Sequence, residues 1–152
     1  MTVERSSDQQ FEPPPAMQFQ PLPDLQRPML DKFYRAHRSS MRGKGEAQIW
    51  VAKAHEIVGA LNLTPIAGGH WLTGLFVAPE WRGQGLAGGL LMAATADLAG
   101  QVWLFCEPDL LGFYRRSDFV ETQDLPRELA DRLARYRQSK TLIALVRMPP
   151  TR

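Results

Sequence analysis

With 152 residues, 44% of them hydrophobic and 22% charged, the chain has the make-up of an ordinary globular protein with material for one core. Its net charge of +2 is too small to single out nucleic acid as a partner, so none is expected. A single cysteine, Cys106, excludes a disulfide framework within the chain, and three scattered histidines (His37, His55, His70) offer no zinc spacing, so no metal is expected. No apolar run approaches the roughly 18 residues of a membrane span, and the start of the chain lacks a basic-then-apolar export signal. The expectation is a cytoplasmic protein with no membrane association.

Residues 1–16, "MTVERSSDQQFEPPPA", are polar and end in three prolines, the composition of a disordered leader. A single domain is expected over residues 17–150. "MQFQPL" suits a short first strand. In "PMLDKFYRAHR", Pro28 fits a first helical turn, and Met29, Leu30, Phe33, Tyr34 and His37 fall on one stripe. "SSMRGKGE" is then a basic, glycine-containing loop.

Three strands follow with little between them: "AQIWVAKA", "IVGALNLTPI", in which Leu61 and Leu63 alternate with Asn62 and Thr64, and "HWLTGLFVA" after the tight "AGG". Connections this short join only antiparallel neighbours, because a parallel return needs a dozen or more residues. "GLAGGLLMAATADLA" is the clearest helix. A strand over 101–106, a short helix over about 108–116 and a strand around 118–122 come next. An amphipathic helix, "PRELADRLARYRQ", places Leu129, Leu133 and Tyr136 on one face, with Asp124 a candidate cap. "TLIALVRM" is the last strand. An antiparallel meander followed by strand–helix–strand gives a mixed α/β fold. Cys106 shares a strand face with Val102 and Leu104, which favours a core thiol over a nucleophile.

The segment "WRGQGLAGG" (81–89) carries two readings. Gly83, Gly85 and Gly88 spell the G-x-G-x-x-G of a dinucleotide fold, and Glu107 lies nineteen residues beyond Gly88, where an acidic ribose ligand would sit. From Arg82 the same letters spell R-x-x-G-x-A. Both readings point to a phosphorylated cofactor, because a glycine-rich turn opening a helix presents main-chain N–H groups to an anion. Against the dinucleotide reading, "APEWR" separates Val77 from Gly83, the unit follows a meander, and only 64 residues remain after Gly88.

"LFVAPEWRGQGLAGGLL" resembles the signature of the GNAT superfamily of acyl-CoA-dependent N-acyltransferases: a strand ending V-x-P-(E/D), then R/Q-x-x-G-x-G/A, then an apolar helix. Arg82, Gly85 and Ala87 match the three motif positions, and "FYRRSDF" behind resembles the family's F-Y-x-x-x-G-F segment. The resemblance covers residues 17–148. It implies a mixed, mostly antiparallel sheet with helices on both faces, splayed between the fourth and fifth strands. It also implies acetyl-CoA as co-substrate, its pyrophosphate held by Arg82, Gly83, Gln84, Gly85, Leu86 and Ala87, and its pantetheine arm paired with the backbone of Leu75, Phe76 and Val77. The physics agrees: Gly83 and Gly85 permit positive φ and carry no Cβ, and Ala87, Gly88 and Gly89 keep the first helical turn slim.

The same resemblance implies Tyr114 as general acid to the departing thiolate; a phenol with pKa about 10 is protonated at neutral pH. The family's glycine before the last phenylalanine is Asp118 here, and aspartate tolerates the left-handed conformation. Where an asparagine commonly begins the helix stands Glu107-Pro108-Asp109. Relatives often carry a basic carboxylate on the strand before the cofactor loop, but here it reads Trp71, Leu72, Thr73, Gly74. Glu107 is the remaining candidate base, directly or through water, against a helix-start or solvated role. His70 sits at the far end of its strand.

The expected acceptor is the amine of a small molecule or peptide. Arg35, Arg38, Arg42 and Lys44 form a basic run near the expected acceptor side, and Trp50 and Trp71 are candidates for a pocket or for sheet packing. The helix over 126–138 suits a lid or a homodimer contact. Two alternatives to an N-acetyltransferase stand beside it: an acyl-CoA-binding regulatory module with little turnover, and the dinucleotide enzyme.

Overall fold

The computed structural model describes residues 17–37 and 47–149. The expected leader and the basic loop residues Arg38, Arg42 and Lys44 lie outside the described residues. Strands β1 (Gln18–Pro21), β2 (Gln48–Lys53), β3 (Ile57–Ile66), β4 (Gly69–Val77), β5 (Val102–Cys106), β6 (Val120–Glu121) and β7 (Ile143–Arg147) form one sheet in the order β1-β2-β3-β4-β5-β7-β6. The helices are α1 (Arg27–Ala36), α2 (Leu86–Thr95), α3 (Leu111–Arg115) and α4 (Arg127–Tyr136). Every neighbouring pair is antiparallel except β4 and β5, which run parallel because α2 carries the chain back across the sheet.

Both faces of the sheet are covered. On one, Leu90, Leu91 and Ala94 of α2, with Tyr114 and Phe119, pack on Leu61, Leu63, Leu72, Leu104 and Leu145. On the other, Leu30, Phe33 and Tyr34 of α1 cover Ile49, Val51 and Ala60, and Leu129 of α4 covers Trp103 and Val146. This double cover corrects the alternation expected for β3: the strand is buried continuously from Ile57 to Leu63, and Asn62 is only 5% exposed.

Two expectations near the C-terminal half also need correcting. Asp124 does not cap α4; Pro126, its φ fixed near the helical start, holds the cap position without a side-chain hydrogen bond, and Asp124 donates its main-chain N–H to Thr122 Oγ1 (3.0 Å). The strand expected around 118–122 shrinks to Val120–Glu121, because Asp118 takes a left-handed φ of 70° and the Phe119 N–H turns back to the Tyr114 carbonyl (3.2 Å).

The feature that shapes the middle of the sheet is a bulge in β4. Ala60 pairs with Phe76 and Asn62 with Thr73, so Leu61 alone opposes Gly74 and Leu75. Gly74 sits at φ +69°, where a Cβ would come within 3.1 Å of the Asn62 amide and 3.3 Å of the Tyr34 hydroxyl. The extra residue reverses the side-chain alternation. Leu72 faces α2, and beyond the bulge so do Leu75 and Val77, while Phe76 joins the α1 side. Tyr34 pins the bulge by donating its hydroxyl to the Gly74 carbonyl (2.8 Å).

Three buried acids of the core favour their neutral forms. Burial, with Asp31 adding to it, pushes the Tyr34 phenol well above its ordinary 10.0. Burial raises Tyr114 to about 12, helped by Cys106, and raises Cys106 from 9.0 to about 11, helped by Asp109, Glu121 and Glu107. Since each value lies above that of the unfolded chain, the stability they lend is complete below pH about 9 and is lost as pH climbs through 11 to 12. Urea unfolding is expected to give a flat midpoint from pH 7 to about 9 and a steep fall above it. Y34F should be less stable by about 1–2 kcal/mol at pH 7, from the lost hydrogen bond, yet lose less on going to alkaline pH; an unchanged midpoint at pH 7 would dismiss the bond as a contributor.

Candidate active site

The turn after β4 is built to leave donors free. Pro79–Trp81 make one turn of 3-10 helix, closed by Trp81 N–H to Ala78 O (2.9 Å) and Arg82 N–H to Pro79 O (3.3 Å). Gly83 and Gly85 then take φ of +80° and +79°, and Gly85 is the N-cap of α2 with no side chain to cap it. The first helical bond runs from Gly89 N–H to Gly85 O (3.0 Å). From Gly83 to Gly88 no main-chain N–H meets an acceptor among the described residues. A Cβ at positions 83, 85 or 88 would touch nothing within 4 Å, so this side is open. Six consecutive donors at the positive end of a helix dipole make a cradle for a dianion.

Gly89, expected to keep the first helical turn slim, has a packing reason to be small. A Cβ there would come within 2.7 Å of the Phe19 ring, so its smallness lets α2 sit against β1. Arg82 folds back on the strand it follows: Nε donates to Val77 O (2.8 Å) and the guanidinium stacks on Phe76 at 5.1 Å. The side chain thereby ties the glycine turn to the end of β4.

Next to this turn the sheet opens. The parallel ladder between β4 and β5 contains only His70–Val102 and Trp71–Trp103. Beyond it β5 stays paired with β7 through Cys106 and β4 with β3 through Val77, so the facing edges of the two strands diverge with their main-chain groups unladdered. Leu75, Phe76 and Val77 lie on one arm of this V. Their side chains are absorbed by the cores on either face, which leaves the backbone to line the gap.

Because the bulge takes up one residue of β4, four rungs on from the Trp71–Trp103 pair bring Phe76 and Glu107 to the same height on the two arms. Glu107 is exposed, opens the turn Pro108–Leu110, and makes no capping hydrogen bond with its side chain. Cys106, one residue below, is a buried thiol held protonated, as expected of a core residue. Tyr114 on α3 packs edge-on against Phe113 (4.9 Å) and Phe119 (5.8 Å) and is 8% exposed. Its ring is part of the core, and its phenol, raised to about 12, stays protonated across the physiological range. His70 belongs to the closed end of the V.

Sequence reading missed the bulge and its clamp. A lone glycine inside a strand pattern was the available signal for Gly74. Tyr34 was legible as a stripe residue, but its hydroxyl's partner lies 40 residues away. Trp50 donates Nε1 to Gln48 (3.3 Å) and packs on the α2 side. Trp71 lies on the opposite face, its ring tilted against Phe105 (5.7 Å) and under the Arg132 guanidinium (4.5 Å).

The single parallel pair among the described strands rules out the doubly wound sheet that the dinucleotide reading requires. No helix among the described residues is long and apolar enough to cross a membrane. Solved structures of the same fold include ElaA of Escherichia coli (TM-score 0.62, 14% identity, 87% of this chain and 99% of that one). An acetyltransferase of the GNAT family from Staphylococcus aureus superposes with TM-score 0.59 at 14% identity, over 89% of this chain and 100% of that one. The PaiA N-acetyltransferase of Thermoplasma acidophilum, solved in complex with coenzyme A, gives TM-score 0.61 at 11% identity, over 88% of this chain and 99% of that one. No curated protein sequence matches the chain. The Acetyltransferase (GNAT) domain family matches residues 45–121, just over half of the sequence and the segment that carries the splay and the cradle. The chain belongs to the GNAT acetyltransferase domain family.

Proposed function

We propose that this chain moves an acetyl group from acetyl-CoA to a primary amine, within a domain spanning residues 17–150. The observation that carries the reading is the unpaired run of N–H groups from Gly83 to Gly88, opening directly beside the unladdered edge of β4. In this reading the cradle, with Gln84, Leu86 and Ala87 contributing main-chain donors, takes the pyrophosphate. Arg82 holds the cradle to the strand. The backbone of Leu75, Phe76 and Val77 pairs with the pantetheine arm as an added strand would, and one N–H there polarises the thioester carbonyl.

The acceptor arrives as an ammonium and loses a proton to Glu107 or to water at its carboxylate. The free amine then attacks the carbonyl carbon; a C–N bond forms, the C–S bond breaks, and the second amine proton ends on sulfur. Tyr114 serves the departing sulfur. Burial holds the phenol protonated, and its part is to act as general acid, donating to sulfur as charge grows there and taking up the proton that the amine supplies.

G85A is expected to weaken coenzyme A binding about tenfold, since the left-handed N-cap becomes strained by about 1–2 kcal/mol; calorimetry checks this, and undiminished affinity would argue against the cradle. Y114F should lower kcat on the order of a hundredfold with little change in coenzyme A affinity. A kcat within twofold of the parent would remove Tyr114 from the reaction. The absence of a carboxylate among Trp71, Leu72, Thr73 and Gly74 supports a second reading, a cofactor-binding regulatory module. Tight acetyl-CoA binding with no thiol release against a broad amine panel would favour that module over the enzyme.

A further inference from the structure

Resting on the acetyl-transfer reading, the geometry points to the kind of amine that is used. On the α2 side the gap between β4 and β5 is backed by packed side chains, Leu72, Leu91, Leu104 and Tyr114 among them. The other face is different. There α1 covers β2 and β3, α4 covers β5 and β7, and β4 runs between them with Trp71 and Thr73 only half-buried. An acceptor reaching a thioester in the gap has this cleft as its approach.

The α4 wall of the cleft is chemically specific. Arg132 and Tyr136, one turn apart, form the flank of the helix turned toward β4: Arg132 lies over Trp71 at 4.5 Å, and Tyr136 meets Phe105 edge-on at 6.2 Å. Such stacking fixes the plane of the guanidinium and directs its fork. Nε of Arg132 is buried without a partner, so whatever pairing the group obtains comes through its terminal nitrogens. The acid within reach is Glu128, at a long 3.9 Å and 66% exposed, whereas Arg132 is 31% exposed. An exposed pair at that distance contributes little. A pre-aimed, half-desolvated guanidinium with so weak a partner suits a bidentate carboxylate.

We propose that this cleft binds a primary amine that also carries a carboxylate, with Arg132 as the anchor for the acid. The spacing sets the length of the acceptor. Trp71, beneath Arg132, is four residues from Leu75, but the bulge takes up one of them, so the two stand about three rungs or 10 Å apart along the strand. A hydrogen-bonded guanidinium reaches about 3 Å of this, leaving roughly 7 Å between carboxylate and amine. A free α-amino acid is too short. An extended peptide of about two residues, at 3.3–3.6 Å each, matches, with its N-terminus at the thioester and its C-terminus on Arg132.

Glycylglycine and glycylglycinamide differ only in that acid. Titrated into the protein with and without coenzyme A, glycylglycine is expected to bind at least about tenfold more tightly than the amide, and R132M should erase the difference. Equal affinities, no binding of either peptide, or a preference that survives in R132M would overturn the anchor. Because the comparison is made with and without coenzyme A, failure of the cofactor to bind tells against the acetyl-transfer reading separately. If R132M does not fold, the exposed neighbour decides: E128Q, freeing the guanidinium from its competitor, should tighten glycylglycine binding about two- to threefold, and an unchanged affinity would overturn the proposal.

Discussion

The arrangement of this molecule hangs on one residue in a conformation that L side chains rarely adopt. Gly74, left-handed in the middle of β4, sets two residues against one on β3 and reverses which side chains face which core. Without that reversal, Leu75 and Val77 would point toward α1 and Phe76 toward α2, and neither hydrophobic layer would close. The same twist accompanies the parting of β4 from β5 after two rungs of ladder. Bulges increase local strand twist, so a device that re-sorts the core also helps to open the sheet. Tyr34 reaches across from α1 to hold the carbonyl of that residue, and the helix that covers one face thereby helps to fix the geometry of the gap.

The cradle and the gap answer each other. β4 ends at Val77, and within eight residues the chain has turned and begun a helix whose first donors are free. Arg82 keeps the turn against the strand end, so the donors and the unladdered edge share one rigid frame. The polar side chains a chemist would look for first are few: the exposed carboxylates of Glu107 and Asp109 on the far arm, and the buried phenol of Tyr114 behind them. Most of the candidate recognition is done by main chain. That division explains why the residues Leu75, Phe76 and Val77 are free to be ordinary core side chains.

Much of this was legible in the sequence. Short connections dictated the antiparallel meander, the apolar run after "RGQG" marked the helix, and Gly83 and Gly85 both adopt the positive φ anticipated for them, as does Asp118. Three kinds of feature were not legible. Asn62 read as a solvent-facing residue because periodicity in one strand says nothing of what covers its second face. Gly89 read only as a slim residue of the first helical turn because its contact, the Phe19 ring, comes from a strand seventy residues earlier. Arg132 read as one charge on an amphipathic helix, and only the fold brings Trp71 beneath it. Local pattern carries local structure; partners distant in the chain belong to the topology.

The brevity of the parallel ladder has a mechanical consequence. Strands β1 to β4 form one panel and β5 to β7 another, and along the sheet two rungs join them, with α2 lying across the seam. Such a body is a clasp. An extended guest that hydrogen-bonded to the free edge of β4 would complete the sheet, and would lend the two panels rungs that the chain does not itself supply.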